Sequence, residues 1–198
     1  LHREAEAGVG SQAAIVIAGG EGRRFGADKL ALRDAQGMGL LEATIASLGE
    51  VAEPIIVVGP ERPVARDVIW AREDPPGGGP CAALIAGVAH VPEGVTHVAV
   101  LAGDAPTGGR AIPALRQVID DAAAAVVTDS AGREQPMTAV YAVRPLREAL
   151  ASYGDGRDMS VRQVLGDLRA QTVVTIIDQW GASADIDVPE DADRLGFS

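Results

Sequence analysis

Aromatic residues are scarce in this chain: two Trp, two Tyr and two Phe among 198 residues. Its apolar content, nearly half of the sequence, is instead largely Ala and Val. That amount is enough for a real core and excludes a disordered chain, and its kind fits helices packed closely on a Val/Ile sheet. Cysteine is nearly absent too. A single Cys81 excludes both a disulfide framework and a Cys-rich zinc site, and is expected to be a small buried residue. Cations are few against anions, 17 Lys and Arg to 28 Asp and Glu, giving a net charge of −11. A phosphate backbone wants a basic surface, so nucleic acid is not an expected partner. A small phosphorylated ligand remains open to an acidic protein that has local cations, backbone N–H groups or a metal. No apolar run approaches the ~20 residues of a membrane span, and no charged-then-apolar signal precedes Ala13. A soluble, cytoplasmic protein without membrane contact is expected. Histidine is also rare. Of three, His90 and His97 flank a helix-to-strand turn and are assigned structural roles.

What is present alternates. The runs Ala13–Ala18, Pro54–Gly59, Thr96–Leu101 and Ala124–Thr128 are nearly continuously apolar, as buried parallel strands are. Leu40–Leu48, Pro80–Val91 and Arg110–Asp121 read as helices between them, with Pro80 suited to a first helical turn. After residue 130, Met137–Val143 reads as a strand, Pro145–Ala151 as a helix and Val173–Ile177 as a strand. Ser152–Asp158, rich in Gly and Asp, reads as a mobile loop. The β-α-β-α order implies an α/β fold, Rossmann-like and three-layered (α/β/α), its mostly parallel sheet covered on both faces. Residues 1–12 are expected to form a flexible leader and 13–198 a single domain.

The first chemical signal follows the first strand: Ala18-Gly19-Gly20-Glu21-Gly22-Arg23-Arg24-Phe25-Gly26-Ala27-Asp28-Lys29. Glycines let the backbone approach a bulky anion, with loop N–H groups aimed at phosphate oxygens. Arg23, Arg24 and Lys29 add positive charge in the same loop. A Walker A string is absent. The dinucleotide fingerprint fails as well, since Phe25 stands where its third glycine belongs and Val58-Gly59-Pro60 replaces the acid ending the second strand. The second signal is Asp104, in Val98-Ala99-Val100-Leu101-Ala102-Gly103-Asp104-Ala105-Pro106. An acid just past the carboxyl end of a buried strand sits where open α/β sheets bind ligands. Such hard oxygen donors hold Mg²⁺ when substrate phosphates complete the octahedron; alone, such an Asp is more often a turn former or helix cap, and its pairing with the Lys29 loop on another strand of the sheet favours the metal ligand. Glu73-Asp74-Pro75-Pro76-Gly77-Gly78-Gly79-Pro80 is a rigid open loop, in which Asp74 could accept from base N–H groups or simply form a turn. Asp185-Ile186-Asp187-Val188-Pro189-Glu190-Asp191 places two acids before a Pro-started helix, to cap it, complete a metal site or meet an acceptor.

These four stretches, in this order, resemble the molybdenum cofactor guanylyltransferase (MobA-like) family of nucleotidyltransferases, which share the fold of the nucleotide-diphospho-sugar transferases. The matches are Ile17–Lys29, Asp74–Pro80, Asp104–Pro106 and Asp185–Asp191, spanning about residues 13–195. The resemblance implies that Ile17, Ala18 and Gly19, with Gly20 and Gly22 of the same loop, bind the nucleotide. It assigns the phosphates to Lys29, the base to Asp74 and Mg²⁺ to Asp104; Asp187, from the two acids before the last helix, is the candidate for a second metal ligand. Lys29, Arg23 and Asp104 are the expected catalytic residues. The implied reaction moves GMP from GTP to the terminal phosphate of a molybdopterin-type acceptor and releases pyrophosphate, with transient contacts to other proteins of the cofactor pathway. The chain departs from the family at Phe25 (usually Met), at Gln135-Pro136 (usually His-Pro) and at Gly59, near an expected base-contacting Asn. Asp185 and Asp187 replace an Asn pair usual for guanylyl transfer, and the Asp-Ile-Asp form is closer to the related cytidylyltransferases. Alternatives are therefore CMP transfer to molybdopterin, GMP transfer to a phosphorylated organic acid, or a catalytically silent nucleotide-binding domain.

Overall fold

The computed structural model describes residues 11–19 and 28–198. The Val/Ile-rich runs form strands β1 (Gln12–Ile17), β2 (Ile55–Val58), β4 (His97–Ala102), β5 (Ala124–Thr128) and β7 (Val173–Ile177). A short β3 (Ile69–Ala71) and a long β6 (Glu134–Ala142) complete the set. All seven join one sheet in the order β3-β2-β1-β4-β6-β5-β7. β1 runs parallel to both β2 and β4, while β6 lies antiparallel between β4 and β5. The helices are α1 (Leu40–Ser47), α2 (Pro80–Ala89), α3 (Ile112–Val118), α4 (Val143–Leu150), α5 (Val161–Leu168) and α6 (Pro189–Leu195).

Side chains alternate across a strand, so each buried strand feeds two cores. Ala13, Ile15 and Ile17 of β1 pack with Ile56, Val58, Val98 and Val100 under α2, α4 and α5. Ala14 and Val16 pack with Val57, Leu101 and Val140 under α1 and α3. The result is the expected three-layer α/β/α fold, with a mostly parallel sheet covered on both faces. Small residues set the layer spacing. A Cβ on Gly87 of α2 would stand 2.7 Å from the Ile15 Cγ2, so only glycine lets this helix lie directly on β1. Close approach of this kind accounts for a core with so few rings. Cys81 is fully buried in the first cluster, as expected.

Three features differ from the sequence reading. β3 pairs with β2 although Ile69 is exposed, because the sheet edge needs only three extended residues there. Helix α5 follows the Gly/Asp-rich turn, held by a capping box in which Ser160 and Gln163 satisfy each other's backbone N–H groups. The helix expected from Arg110 is split, a 3-10 turn (Gly108–Ala111) leading into α3. His90 caps the end of α2 and His97 opens β4, each bonded locally, to the Ala86 carbonyl and the Thr96 hydroxyl. No helix among the described residues is long and apolar enough to cross a membrane. The proposed leader lies almost wholly outside the described residues.

Candidate active site

The parallel strands β1 and β4 end side by side. Gly103 N–H donates to the Ile17 carbonyl (2.8 Å) and Ala18 N–H to the Val58 carbonyl (2.8 Å), so the three strand ends are stitched together. A Cβ on Gly103 would lie 3.1 Å from the Ala18 Cα, and its absence lets the two chains close up. Thr44 of α1 donates to the Gly103 carbonyl (3.0 Å) and steadies the turn. Asp104 emerges next. It sits where an open α/β sheet offers its crevice.

Lys29 arrives from the other side. It starts a 3-10 turn (Lys29–Ala31) that Asp28 caps by accepting from Leu30 N–H (3.2 Å). The Lys29 ammonium forms an ion pair with Asp104 Oδ2, donates to the Ile186 carbonyl (2.8 Å) and stands 3.7 Å from Asp187 Oδ1. Three of the four stretches singled out in the sequence thus meet at one ammonium group. Both side chains of the central pair are mostly shielded from solvent, Lys29 at 21% and Asp104 at 14% exposure, so their attraction is less screened than at an open surface. The acid count around the ammonium is high. Desolvation, helped by the nearby charges of Asp104 and Asp187 and opposed by Lys29, raises the Asp185 carboxyl above its ordinary value.

The helix-cap role open to Asp185 and Asp187 falls to another residue. Asp191 Oδ2 accepts from the N–H groups of Asp187 (3.1 Å) and Val188 (3.2 Å) and so caps α6 from within its first turn. Sequence reasoning missed this, and it also missed Asp178. That carboxylate accepts from the N–H groups of Trp180 (2.9 Å), Ala182 (3.0 Å) and Ser183 (2.8 Å) and from the Ser183 hydroxyl (2.6 Å). It folds the segment that carries Asp185 back onto the sheet, where Thr107 and Thr138 donate to the Gly181 and Ala182 carbonyls. The signal was an Asp two, four and five residues before the amides it gathers, in a run holding Gly and Ser.

Ile17 and Ala18 are buried at the strand end, and Gly19 is exposed beyond them. Asp74 is exposed on its loop, whereas its neighbour Glu73 is turned inward. Gly59 has φ +156°, and a Cβ there would stand 2.6 Å from the Ala18 carbonyl oxygen. Gly20, Gly22, Arg23, Arg24 and Phe25 lie outside the described residues. Beside Asp185 opens a cavity of about 220 Å³, lined by Gln135, Met137, Thr138, Arg162 and Ser183 among others. Among the described residues, no three His, Cys, Asp or Glu side chains form a ready-made metal cage.

The MobA-like NTP transferase domain family matches residues 14–178. The chain belongs to this family. A protein of Opitutus terrae named as a probable molybdenum cofactor guanylyltransferase is 32% identical over 192 residues, covering 92% of this chain and 93% of that protein. Among solved structures, molybdopterin-guanine dinucleotide biosynthesis protein A from Archaeoglobus fulgidus is similar with TM-score 0.69 at 20% identity, over 93% of this chain and 96% of that one. The 2-C-methyl-D-erythritol 4-phosphate cytidylyltransferase from Thermus thermophilus follows with TM-score 0.67 at 20% identity, over 92% and 95%. At such identities the structures speak to the fold, that of the nucleotide-diphospho-sugar transferases. The family makes this MobA-like chain a nucleotidyltransferase.

Proposed function

We propose that the protein moves GMP from GTP onto the terminal phosphate of a molybdopterin-type acceptor and releases pyrophosphate. The observation that carries this reading is the Lys29 ammonium held against Asp104 and near Asp187 at the carboxyl end of β1 and β4. A cation and acids that converge from separate stretches of chain are costly to keep together for structure alone. They suit a site that handles phosphates.

In this reading an acceptor phosphate oxygen attacks the α-phosphorus of GTP in line. The new bond is P–O to the acceptor, the bond lost is that to the bridging oxygen, and pyrophosphate departs with the electron pair. No general base is needed, because the acceptor phosphate is already ionised near neutral pH. Lys29, which here neutralises Asp104, turns to the phosphate oxygens and meets the charge growing on the leaving group; Arg23 shares that role. The cavity beside Asp185 takes the acceptor, with Arg162 and Ser183 on its wall. Mg²⁺ fits the donors present. Asp104 and Asp187 are hard oxygen donors that already accommodate a cation near both, and substrate phosphates would complete the shell of an ion held there. Held by these two carboxylates, the ion would neutralise developing charge on phosphate oxygens.

A second reading, transfer of CMP, draws on Asp185 and Asp187 standing where guanylyl-transferring relatives carry Asn. Pyrophosphate release with Mg²⁺, a molybdopterin acceptor and each triphosphate in turn decides between the two. Turnover is expected with GTP. Turnover with CTP in its place would sink the guanylyl reading and keep the reaction class, whereas no release with any donor would overturn transfer to molybdopterin and leave either a phosphorylated organic acid as acceptor or a silent binding domain.

A further inference from the structure

Of the 17 Lys and Arg residues in the sequence, Lys29 is the only lysine. The two cations are not interchangeable. An ammonium is a compact point charge with three rotatable donors, whereas a guanidinium is a planar fork. Among cationic side chains the ammonium comes nearest to a small metal ion.

Its surroundings are those of a bound cation. The ammonium pairs with Asp104 Oδ2, donates to the Ile186 carbonyl (2.8 Å) and stands 3.7 Å from Asp187 Oδ1. Three oxygens, from two distant stretches of chain, thus face one charge. The carbonyl is held in place, because the Ile186 side chain is fully buried in a cluster with Leu40, Ala192 and Phe197. The turn that carries Lys29 is held too, by Asp28, which accepts from Leu30 N–H (3.2 Å) and pairs with Arg62 (2.7 Å). Asp104 and Asp187 are also the two carboxylates that suit Mg²⁺. A divalent ion needs the same oxygens, and it is repelled by the positive charge already resting on them, at short range and partly shielded from solvent.

A triphosphate removes the conflict. Its oxygens offer the ammonium another partner, which returns the charge of Asp104 to the site. The same phosphates supply oxygens that Mg²⁺ needs to complete its shell. We propose that Lys29 occupies the magnesium position in the free protein, which therefore takes up little Mg²⁺ by itself and acquires its metal site when a nucleoside triphosphate draws the ammonium away. Metal and nucleotide then strengthen each other's binding by the same factor. This inference rests on the nucleotidyl-transfer reading and adds an order of assembly to it.

The single lysine supplies its own probe. Wild type grown with lysine labelled in its side chain gives one ε-CH₂ resonance, that of Lys29. Mg²⁺ alone is expected to leave this signal where NaCl of equal ionic strength leaves it, and GTP without metal is expected to move it. Uptake of Mn²⁺ by the free protein, measured by electron paramagnetic resonance, is the second readout, since Mn²⁺ takes the same hard oxygen donors. Lys29→Met keeps a long unbranched side chain and removes the charge, so it should bind Mn²⁺ about tenfold or more tightly than wild type. The gain should vanish when Asp104→Asn is added. It should not appear in Arg62→Gln, which removes a charge paired with Asp28 rather than with Asp104.

Equal Mn²⁺ uptake by wild type and Lys29→Met would overturn the proposal, as would a gain that survives Asp104→Asn or that Arg62→Gln reproduces. A lysine signal moved by Mg²⁺ alone would overturn it too. A signal that stays put while GTP binds would do the same and leave nucleotide binding standing, whereas failure to bind any triphosphate would remove both readings.

Discussion

Two groups of aspartates stand a few residues apart near the end of the chain and behave in opposite ways. Asp178 is satisfied. Burial pushes its carboxyl up, but the donors of Ser183, Trp180 and Ala182 outweigh this and hold it below the ordinary value. Asp185, in the same segment, is crowded by Asp104 and Asp187, and its carboxyl is raised. One carboxylate was placed where the fold wants a negative charge, the other where the fold merely tolerates it. Burdened charges of the second kind gather at functional sites, because a site built for a cationic or phosphorylated partner is complete only with that partner. In the proposed site, the contrast separates an aspartate that holds the backbone from those expected to meet the ligand.

The largest expected effect comes from neutralising the crowded group at its centre. Asp104→Asn keeps size and removes the charge that faces Lys29. Turnover should fall by roughly 10²–10³-fold, the scale seen when one electrostatic stabiliser of a transition state is lost. The fold should survive, since Lys29 keeps its bond to the Ile186 carbonyl. Asp187→Asn should slow turnover less and raise the Mg²⁺ concentration needed. Steady-state rates across a Mg²⁺ series check both, and normal turnover by Asp104→Asn at low Mg²⁺ would show that this is not the catalytic centre.

The satisfied group should respond in stability. Asp178→Ala orphans three backbone N–H groups and a hydroxyl, at a cost of about 2–3 kcal/mol for loss of hydrogen bonds to a charged acceptor. For a chain of this size that is a fall of about 4–12 °C in melting temperature. The pH sign follows from the lowered carboxyl. Its stabilisation is present above the unfolded value of 3.8 and is lost as pH falls through the lower folded value. Melting curves of wild type and variant should therefore separate at neutral pH and converge in acid. A constant gap at all pH values would mean that lost packing, not the charge, is responsible.

The same contrast explains how far the sequence could be read. Continuous apolar runs read as strands, and Ala124–Thr128 and Val173–Ile177 form β5 and β7 with the expected bounds, although only β5 is buried and β7 is a partly exposed edge strand. Lys29 and Asp104 stood out because charge in a glycine-bearing turn past a strand end has few structural uses, and Asp187 as one of two acids before a Pro-started helix; the three converge. Neither the antiparallel place of β6 between β4 and β5 nor the edge strand β3 was readable. Pairing partners are chosen by long-range contacts, and a three-residue strand has no period to detect. Helix α5 did carry a signal, the Ser160-Val161-Arg162-Gln163 capping box, hidden by the Gly/Asp-rich turn before it. Glu73 and Asp178 were invisible for a different reason. An acid in a loop looks the same whether it is turned in or out, and only the folded backbone says which amides it meets or leaves unmet.

The smallest effect should have the opposite sign. Desolvation and the charges of Asp104 and Asp187 make the ionised form of Asp185 costly in the folded state. Between the unfolded value of 3.8 and its raised folded value, the native protein binds more protons than the unfolded chain, so stability falls as pH rises through that window. At neutral pH the ionised group is then a standing penalty, reduced by solvent because the residue is exposed. Asp185→Asn keeps the shape and removes the charge. It should raise stability at pH 7 by a few tenths of a kcal/mol, about 1–2 °C in melting temperature, and the gain should vanish below pH 3.8, where both side chains are neutral. Asp178→Ala loses most at the pH where Asp185→Asn gains most. A fall in melting temperature for Asp185→Asn at pH 7 would show that Lys29 already compensates the crowded acids, and the division between satisfied and crowded aspartates would no longer mark out the site.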